Sequence, residues 1–257
     1  MDFGPRLYPS QLCHETRTLG FEMKTALITG ASSAIGAAMV QQLLLGGYVV
    51  YAGSHRTEKL ASLAASGANP VCLDATDEES MAAAIDMIKA KNGRLDVLVN
   101  NESHCSYGAL EDMPLEEGWR HFEVNVFGLA RLTQLALPMM RQQQSGTIVN
   151  VCAIGGKNHE PFGSWYHASK GAVKAMSECL RMELAPFGIK VIVIEPGDVK
   201  TELSKIACEN LLRYSGEGSY GNQANAYAYV METAETTAAA PATVATTLVQ
   251  AMVAWNS

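Results

Sequence analysis

The chain has 257 residues, 48 % of them hydrophobic, a formal net charge of −7 and a pI near 5.4. That length suits one large α/β domain with a substantial core. The acidic balance argues against nucleic acid or an anionic membrane as the main partner, and no apolar run reaches the length that spans a bilayer. The six cysteines (13, 72, 105, 152, 179 and 208) form no C-x-x-C pair. They read as free thiols in a reducing compartment, so the expected location is cytoplasmic and no metal site is expected.

Residues 1–22 carry Arg, Glu, His and Pro without the apolar stretch of a secretory signal. They read as a flexible extension ahead of a single domain over 23–257. Residues 25–29 form a short apolar run, followed by GASSAIG and an apolar-periodic segment over 35–45. That order is strand, Gly-rich turn, helix. The plan repeats. A strand at 48–52 precedes a helix from about Thr57, and a strand at 71–74 precedes a helix over 77–91. A strand at 95–100 precedes a long helix over 116–140, broken or ended near Pro138. A strand at 147–151 precedes a helix over 165–185, and 190–194 is the sixth strand.

Strands rich in Val, Ile and Leu that alternate with helices predict a Rossmann-like, doubly wound parallel sheet with helices on both faces. Ligands in such sheets lie beyond the carboxyl ends of the strands. Residues 203–240 are rich in Gly, Ala, Ser, Asn and Thr and read equally well as a mobile substrate lid or a disordered loop. A last helix is expected over 241–254.

Tyr166 and Lys170 stand four residues apart at the start of a predicted helix, which places them on one face. A phenol with a reference pKa of about 10 is a poor base at neutral pH. A neighbouring ammonium favours the phenolate and makes proton transfer accessible. Gly30 permits a sharp turn after the first strand, and Gly36 lets helix and strand approach closely. The helix N-terminus then faces a pyrophosphate.

These features join Asp74, Asn100-Asn101, Asn125 in EVNVFG, and PGDVKT over 196–201. As a set, in this order from Met23 to about Thr201, they closely resemble the short-chain dehydrogenase/reductase family. The resemblance implies catalytic roles for Tyr166, Lys170 and Asn125, the last positioning a relay water. It also implies cofactor contacts from Gly30, Ser33, Ile35, Gly36, Asp74, Asn100, Tyr166, Lys170, Gly197 and Val199. At the end of the second strand, Ser54-His55-Arg56 offers no acidic residue for a ribose diol. His55 and Arg56 therefore favour NADP(H) over NAD(H), since an Arg can pair with a 2′-phosphate.

Four positions depart from the family pattern. The middle Gly of the turn is Ala34, and the N-N-A-G loop reads Asn100-Asn101-Glu102-Ser103. The position of the family's catalytic Ser, thirteen residues before the Tyr, is Ala153. Loss of one oxyanion donor costs about 10²–10³ in rate. Cys152 is adjacent but faces the other way along a strand, leaving Ser103, His104 and Ser164 as candidate replacement donors. No strand-like run follows the last helix, where the family commonly adds a seventh strand that helps build a tetramer. A homodimer or homotetramer is expected, through the helices beginning near Glu116 and Trp165.

Three readings stand. The first is an NADP(H)-dependent oxidoreductase interconverting a ketone and a secondary alcohol on a fairly hydrophobic small molecule. The hydrophobic side chains are Leu203, Ile206, Leu211, Leu212, Phe162 and Trp165. The second is a cofactor-independent isomerisation, elimination or cyclisation by Tyr166, Lys170 and Glu102 or His104. The third is a non-catalytic dinucleotide-fold binder.

Overall fold

The computed structural model describes residues 23–153 and 159–254, so the extension inferred for residues 1–22 lies outside the described residues. Six strands form one parallel sheet: β1 (Thr25–Ile28), β2 (Val49–Ser54), β3 (Asn69–Cys72), β4 (Val97–Asn100), β5 (Gly146–Val151) and β6 (Ile189–Ile194). The order across the sheet is β3-β2-β1-β4-β5-β6. Winding runs outward from β1 in one direction and from β4 in the other, and the crevice between those two strand ends is the place for a ligand.

Alternation along each strand divides the core. Ala26 and Ile28 of β1 face a layer with α1 (Ala34–Leu45), α2 (Ala61–Ala65) and α9 (Pro241–Ala254), where Met39, Leu43, Leu63 and Leu248 are buried. Leu27 faces the opposite layer, with α3 (Glu78–Asn92), α5 (Leu129–Gln143) and α6 (Ser164–Leu184), closing over Ile85, Leu132, Met140 and Leu184. Both faces of the sheet are dry. That is why the strands read as near-continuous apolar runs.

Local chemistry sets the helix ends. Asp77 caps α3 by accepting from the Glu79 N–H at 3.0 Å, and Gly93 ends it at φ 68°. The predicted break at Pro138 is absent, because α5 runs on to Gln143 with the proline inside it. Pro138 removes the N–H that would bond the Gln134 carbonyl. Both residues sit on the exposed face, where water can serve instead. The irregularity comes earlier. Between α4 (Leu115–Phe122) and α5, residues Glu123–Gly128 form a π-helical segment. At its end Gly128 presses on the backbone of Ala75, and a Cβ there would collide with the Ala75 carbonyl oxygen.

The segment expected to be a lid or a disordered loop is two packed helices, α7 (Glu202–Ser215) and α8 (Gly221–Thr237). Small side chains allow it: Ala207, Ala224 and Ala228 are buried between the helices and the Cys105–Tyr107 loop. The base is pinned where Ala239 donates to the Asp198 carbonyl at 2.9 Å and accepts from the Lys200 N–H at 3.1 Å. Among the described residues no strand follows α9, and no helix is long and apolar enough to cross a membrane.

Gly128→Ala should destabilise the fold by about 1–3 kcal/mol, because the backbone of Ala75 cannot yield as a side chain would. Urea unfolding with an unchanged m-value checks this.

Candidate active site

The Gly-rich turn after β1 is locked to the end of β4. The Thr29 hydroxyl accepts the N–H groups of Asn101 and Glu102, each at 3.0 Å. The Asn101 amide donates back to the carbonyls of Thr29 at 3.0 Å and Gly30 at 3.2 Å. Gly30 has φ 60°, and a Cβ there would press on Asn101 and on the Glu102 backbone. Gly36 lies so close to the turn that a Cβ would strike the Gly30 carbonyl. Ser33 caps α1, donating to the Gly30 carbonyl at 2.8 Å and accepting from the Gly36 N–H at 3.1 Å. The N–H groups of Ala34 and Ile35 in the first turn have no intrahelical acceptor and stand available to an anion. The Ala34 methyl is exposed at that opening.

On the β2 side, Arg56 donates from Nη2 to the Ser32 hydroxyl at 3.2 Å, and the Ser54 hydroxyl donates to Ser32 at 2.9 Å. The Arg56 Nε is buried and without a partner among the described residues. His55 Nδ1 lies 3.1 Å from the Glu102 carboxylate, a contact that joins the ends of β2 and β4. Glu102 thereby has one oxygen engaged and the other buried without a partner among the described residues. Burial raises its pKa, and its contact with His55 opposes that rise. Asp74 accepts from the N–H of Thr76 at 2.8 Å and from its hydroxyl at 2.7 Å. Its burial works upward, but these hydrogen bonds and the nearby His55 and Arg120 hold its pKa below the usual value.

Tyr166 and Lys170 open α6, as the spacing predicts, and Lys170 Nζ lies 5.8 Å from the centre of the Tyr166 ring. Lys170 is buried and donates to the Val151 carbonyl at 3.2 Å, at the carboxyl end of β5. The charge argument comes out differently from the sequence expectation. Burial pushes the Tyr166 pKa well above its ordinary value, with Cys105, Cys152 and Glu160 adding to the rise, while burial lowers that of Lys170. Desolvation outweighs the ammonium. The carboxylate that acts on Tyr166 is Glu160.

Asn125 sits in the π segment, and its carboxamide is fully engaged. It accepts from the His104 N–H at 2.7 Å and donates to the His104 carbonyl and the Ser169 hydroxyl, both at 2.9 Å. It thus clamps the loop after β4 to α6. Asn100 lies deeper than its expected cofactor role suggests. Its amide donates to Asn150 at 2.8 Å and to Thr133 at 3.2 Å inside the core. Gly197 is exposed, whereas the Val199 side chain is buried in the layer with α1 and α9 and its backbone bridges to Ala239.

Cys152, just past the end of β5, packs with Val126, Leu129 and Val173. Of the candidate replacement donors, His104 is bound to Glu117 at 3.0 Å and Ser164 is exposed. The Ser103 hydroxyl is buried without a partner among the described residues.

A network that no sequence signal announced stands behind the site. Tyr214 of α7 donates to Glu117 at 2.9 Å, Glu117 pairs with His104, and the His104 ring meets His121 at 4.7 Å between centroids. The His121 ring lies 6.4 Å from that of Tyr166. His104, Glu117 and His121 have the composition of a metal site. Both nitrogens of His121 are already used, however: Nδ1–H donates to the Glu117 carbonyl at 2.7 Å and Nε2 accepts the Ser106 N–H at 3.1 Å. The cluster is a hydrogen-bonded brace.

The family model for short chain dehydrogenases matches residues 24–211. The chain belongs to the short-chain dehydrogenase/reductase family. A probable short-chain type dehydrogenase/reductase, VdlC, from Helicobacter pylori is 40 % identical over 185 residues, covering 72 % of this chain and 68 % of that one. An NADPH-dependent 3-dehydrocapnine reductase from Ornithobacterium rhinotracheale is 33 % identical over 190 residues, covering 70 % and 67 %. Among solved structures, a short-chain dehydrogenase from Streptomyces avermitilis superposes with a TM-score of 0.80 at 34 % identity, covering 91 % and 85 %. The recognition from motifs and the doubly wound fold both hold.

Burial lowers the pKa of His121 from 6.5 to about 4. The unfolded chain then binds a proton that the folded one refuses, so stability should fall as pH drops from 6.5 towards 4 and level off below. Imidazole nitrogen NMR of the folded protein should show His121 still neutral between about pH 6 and 5 and half protonated only near pH 4, with urea midpoints falling across the same range.

Proposed function

We propose that the protein reduces a ketone to a secondary alcohol with NADPH, on a fairly hydrophobic small molecule. The observation that carries this reading is Tyr166 beside Lys170 at the carboxyl end of β5. The phenol is held protonated by burial and so is suited to act as the acid that completes a reduction. A nicotinamide dinucleotide fits the residues present. The close approach at Gly30 and Gly36 and the free N–H groups of α1 suit a pyrophosphate. The buried, unpartnered Nε of Arg56 beside Ser32 suits a 2′-phosphate. When bound, that group supplies the hydride.

The chain's own residues do the rest. Tyr166 gives its proton to the carbonyl oxygen as negative charge develops there. Lys170, fixed on the Val151 carbonyl, holds positive charge near that oxygen. Asn125 acts through position, keeping the His104 loop against α6. With a methyl at Ala153, the Ser103 hydroxyl is the unspent donor that remains near the loop. The His55–Glu102 pair offsets the carboxylate that would otherwise oppose a phosphate-rich ligand. The ketone specificity draws on the relative named as an NADPH-dependent 3-dehydrocapnine reductase. Exposed Trp119 and Phe127, on α4 and the π segment, support a homodimer built on that face. Cys72, Cys105, Cys152, Cys179 and Cys208 are free thiols, in keeping with a cytoplasmic setting.

NADPH oxidation with a panel of hydrophobic ketones tests the reading, and no consumption with any of them would sink it. Tyr166→Phe should lower kcat by roughly 10²–10⁴-fold. Arg56→Ala should weaken NADPH binding by roughly 10- to 100-fold, the worth of a charge-assisted contact, and leave NADH binding unchanged in a fluorescence titration. Ala153→Ser should raise kcat by up to about 10²-fold if the lost oxyanion donor limits the rate.

A further inference from the structure

We infer that the cleft between α8 and the loops at 109–111 and 161–162 binds one long unbranched aliphatic chain of the ketone substrate. The inference rests on the reductase reading and adds the substrate class. The cleft has a volume of about 980 Å³ and is lined by Leu110, Pro161, Phe162, Ala226, Tyr227 and Val230, among others. That lies near the upper end of the roughly 300–1,000 Å³ of small-molecule pockets. It holds none of the residues expected to bind a dinucleotide.

Helix α8 shows why this is a built feature. A helix needs one apolar stripe to stay docked, and α8 has that in Ala224 and Ala228, buried against the cluster that contains Tyr166. It also carries a second stripe. Gln223, Ala226, Tyr227 and Val230 stand at spacings of three, four and seven residues and all line the cleft. Val230 is 55 % exposed and Leu110 across from it 57 %. The first stripe already holds the helix down, so the second is free for a ligand.

The cleft and the catalytic cluster share two side chains. Phe162 and Tyr227 line the cleft, and both also pack in the cluster with Tyr166 and Leu203. Phe162 is held at φ 68°, a left-handed conformation that a bulky residue rarely adopts, with its carbonyl accepting from the Gly108 N–H at 2.9 Å. Tyr227 and Tyr107 both donate to Glu160 at 3.1 Å, and the Tyr107 ring lies 6.1 Å from that of Tyr166. A carbonyl presented to Tyr166 therefore has its alkyl substituent directed past Phe162 and Tyr227 into an apolar trough. The lining is mostly apolar and its one charged residue is the acidic Glu111, so an uncharged chain fits it better than an anion does. A second copy of this protein has a better candidate surface in the separate Trp119–Phe127 face.

The test uses the full chain and methyl ketones from hexan-2-one to hexadecan-2-one. It compares the natural protein with an Ala226→Asp, Val230→Asp variant, in which both changes fall on exposed positions. In the natural protein kcat/KM should rise about two- to fourfold per added methylene. The variant should lose that slope and keep its rate on hexan-2-one. A flat chain-length profile in the natural protein, or equal slopes in both proteins, would overturn the inference.

Binding of a fluorescent straight-chain fatty alcohol, measured without any turnover, separates this inference from the reductase reading. Binding that the variant loses supports the chain site even where no ketone is reduced. Absent or undiminished binding refutes it. Sedimentation of both proteins adds one further check: a dimer that only the variant fails to form would make the cleft a self-association surface and overturn the inference.

Discussion

The Thr29 hydroxyl accepts two backbone N–H groups from the loop after β4, and most of the site depends on that contact. It joins the ends of two neighbouring strands, β1 and β4, from which the chain winds in opposite directions. Asn101 completes the joint by donating to the turn's carbonyls, which holds Gly30 at its positive φ. With the turn fixed, the Ser33 cap and the Gly36 approach aim the start of α1 into the crevice. With the loop fixed, His104 and Cys105 are delivered to Asn125 and to the Tyr166 cluster. One hydroxyl thus couples the Gly-rich turn to the loop that carries His104 and Cys105.

Burial dominates the electrostatics beyond that joint. Tyr166, Lys170, His121 and Cys105 all shift in the direction that disfavours charge. Desolvation grows with every neighbour packed around a group, whereas the attraction of one ammonium across 5.8 Å does not compensate in this closed arrangement. The phenol therefore keeps its proton. At the rim, where Asp74, Glu102, His55 and Arg56 gather, contacts with oppositely charged groups oppose the effect of burial. The crevice is closely packed around Tyr166 and Lys170 and more polar around Asp74, Glu102, His55 and Arg56.

The lid follows the same economy. Helices α7 and α8 cover Tyr166 with alanines and a few larger groups, and the short pairing at Ala239 holds their base. Small residues let the two helices approach closely but bury little area per residue. A lid of this composition docks without committing all its apolar surface. Its remaining stripe lines the cleft beside Phe162 and Leu110.

Much of the fold was legible in the sequence. Runs of Val, Ile and Leu located all six strands to within a few residues, because a strand buried on both faces has no room for polar alternation. The Tyr166–Lys170 helix and the Gly-rich turn were legible for a similar reason, since their chemistry depends on spacing within one element. Other features depend on what lies opposite. The π segment around Asn125 ends where Gly128 packs on Ala75, a contact between residues far apart in sequence, and composition concealed α7 and α8 because alanine-rich faces carry little amphipathic signal. Proline at 138 signals a break that exposure makes unnecessary. The partners of Glu102 and His121 were decided only in the folded chain. His55 is 47 residues from Glu102, and Ser106 is 15 from His121. Local sequence sets which conformations and charges are available; only tertiary burial decides which groups lose water and therefore which must find a partner.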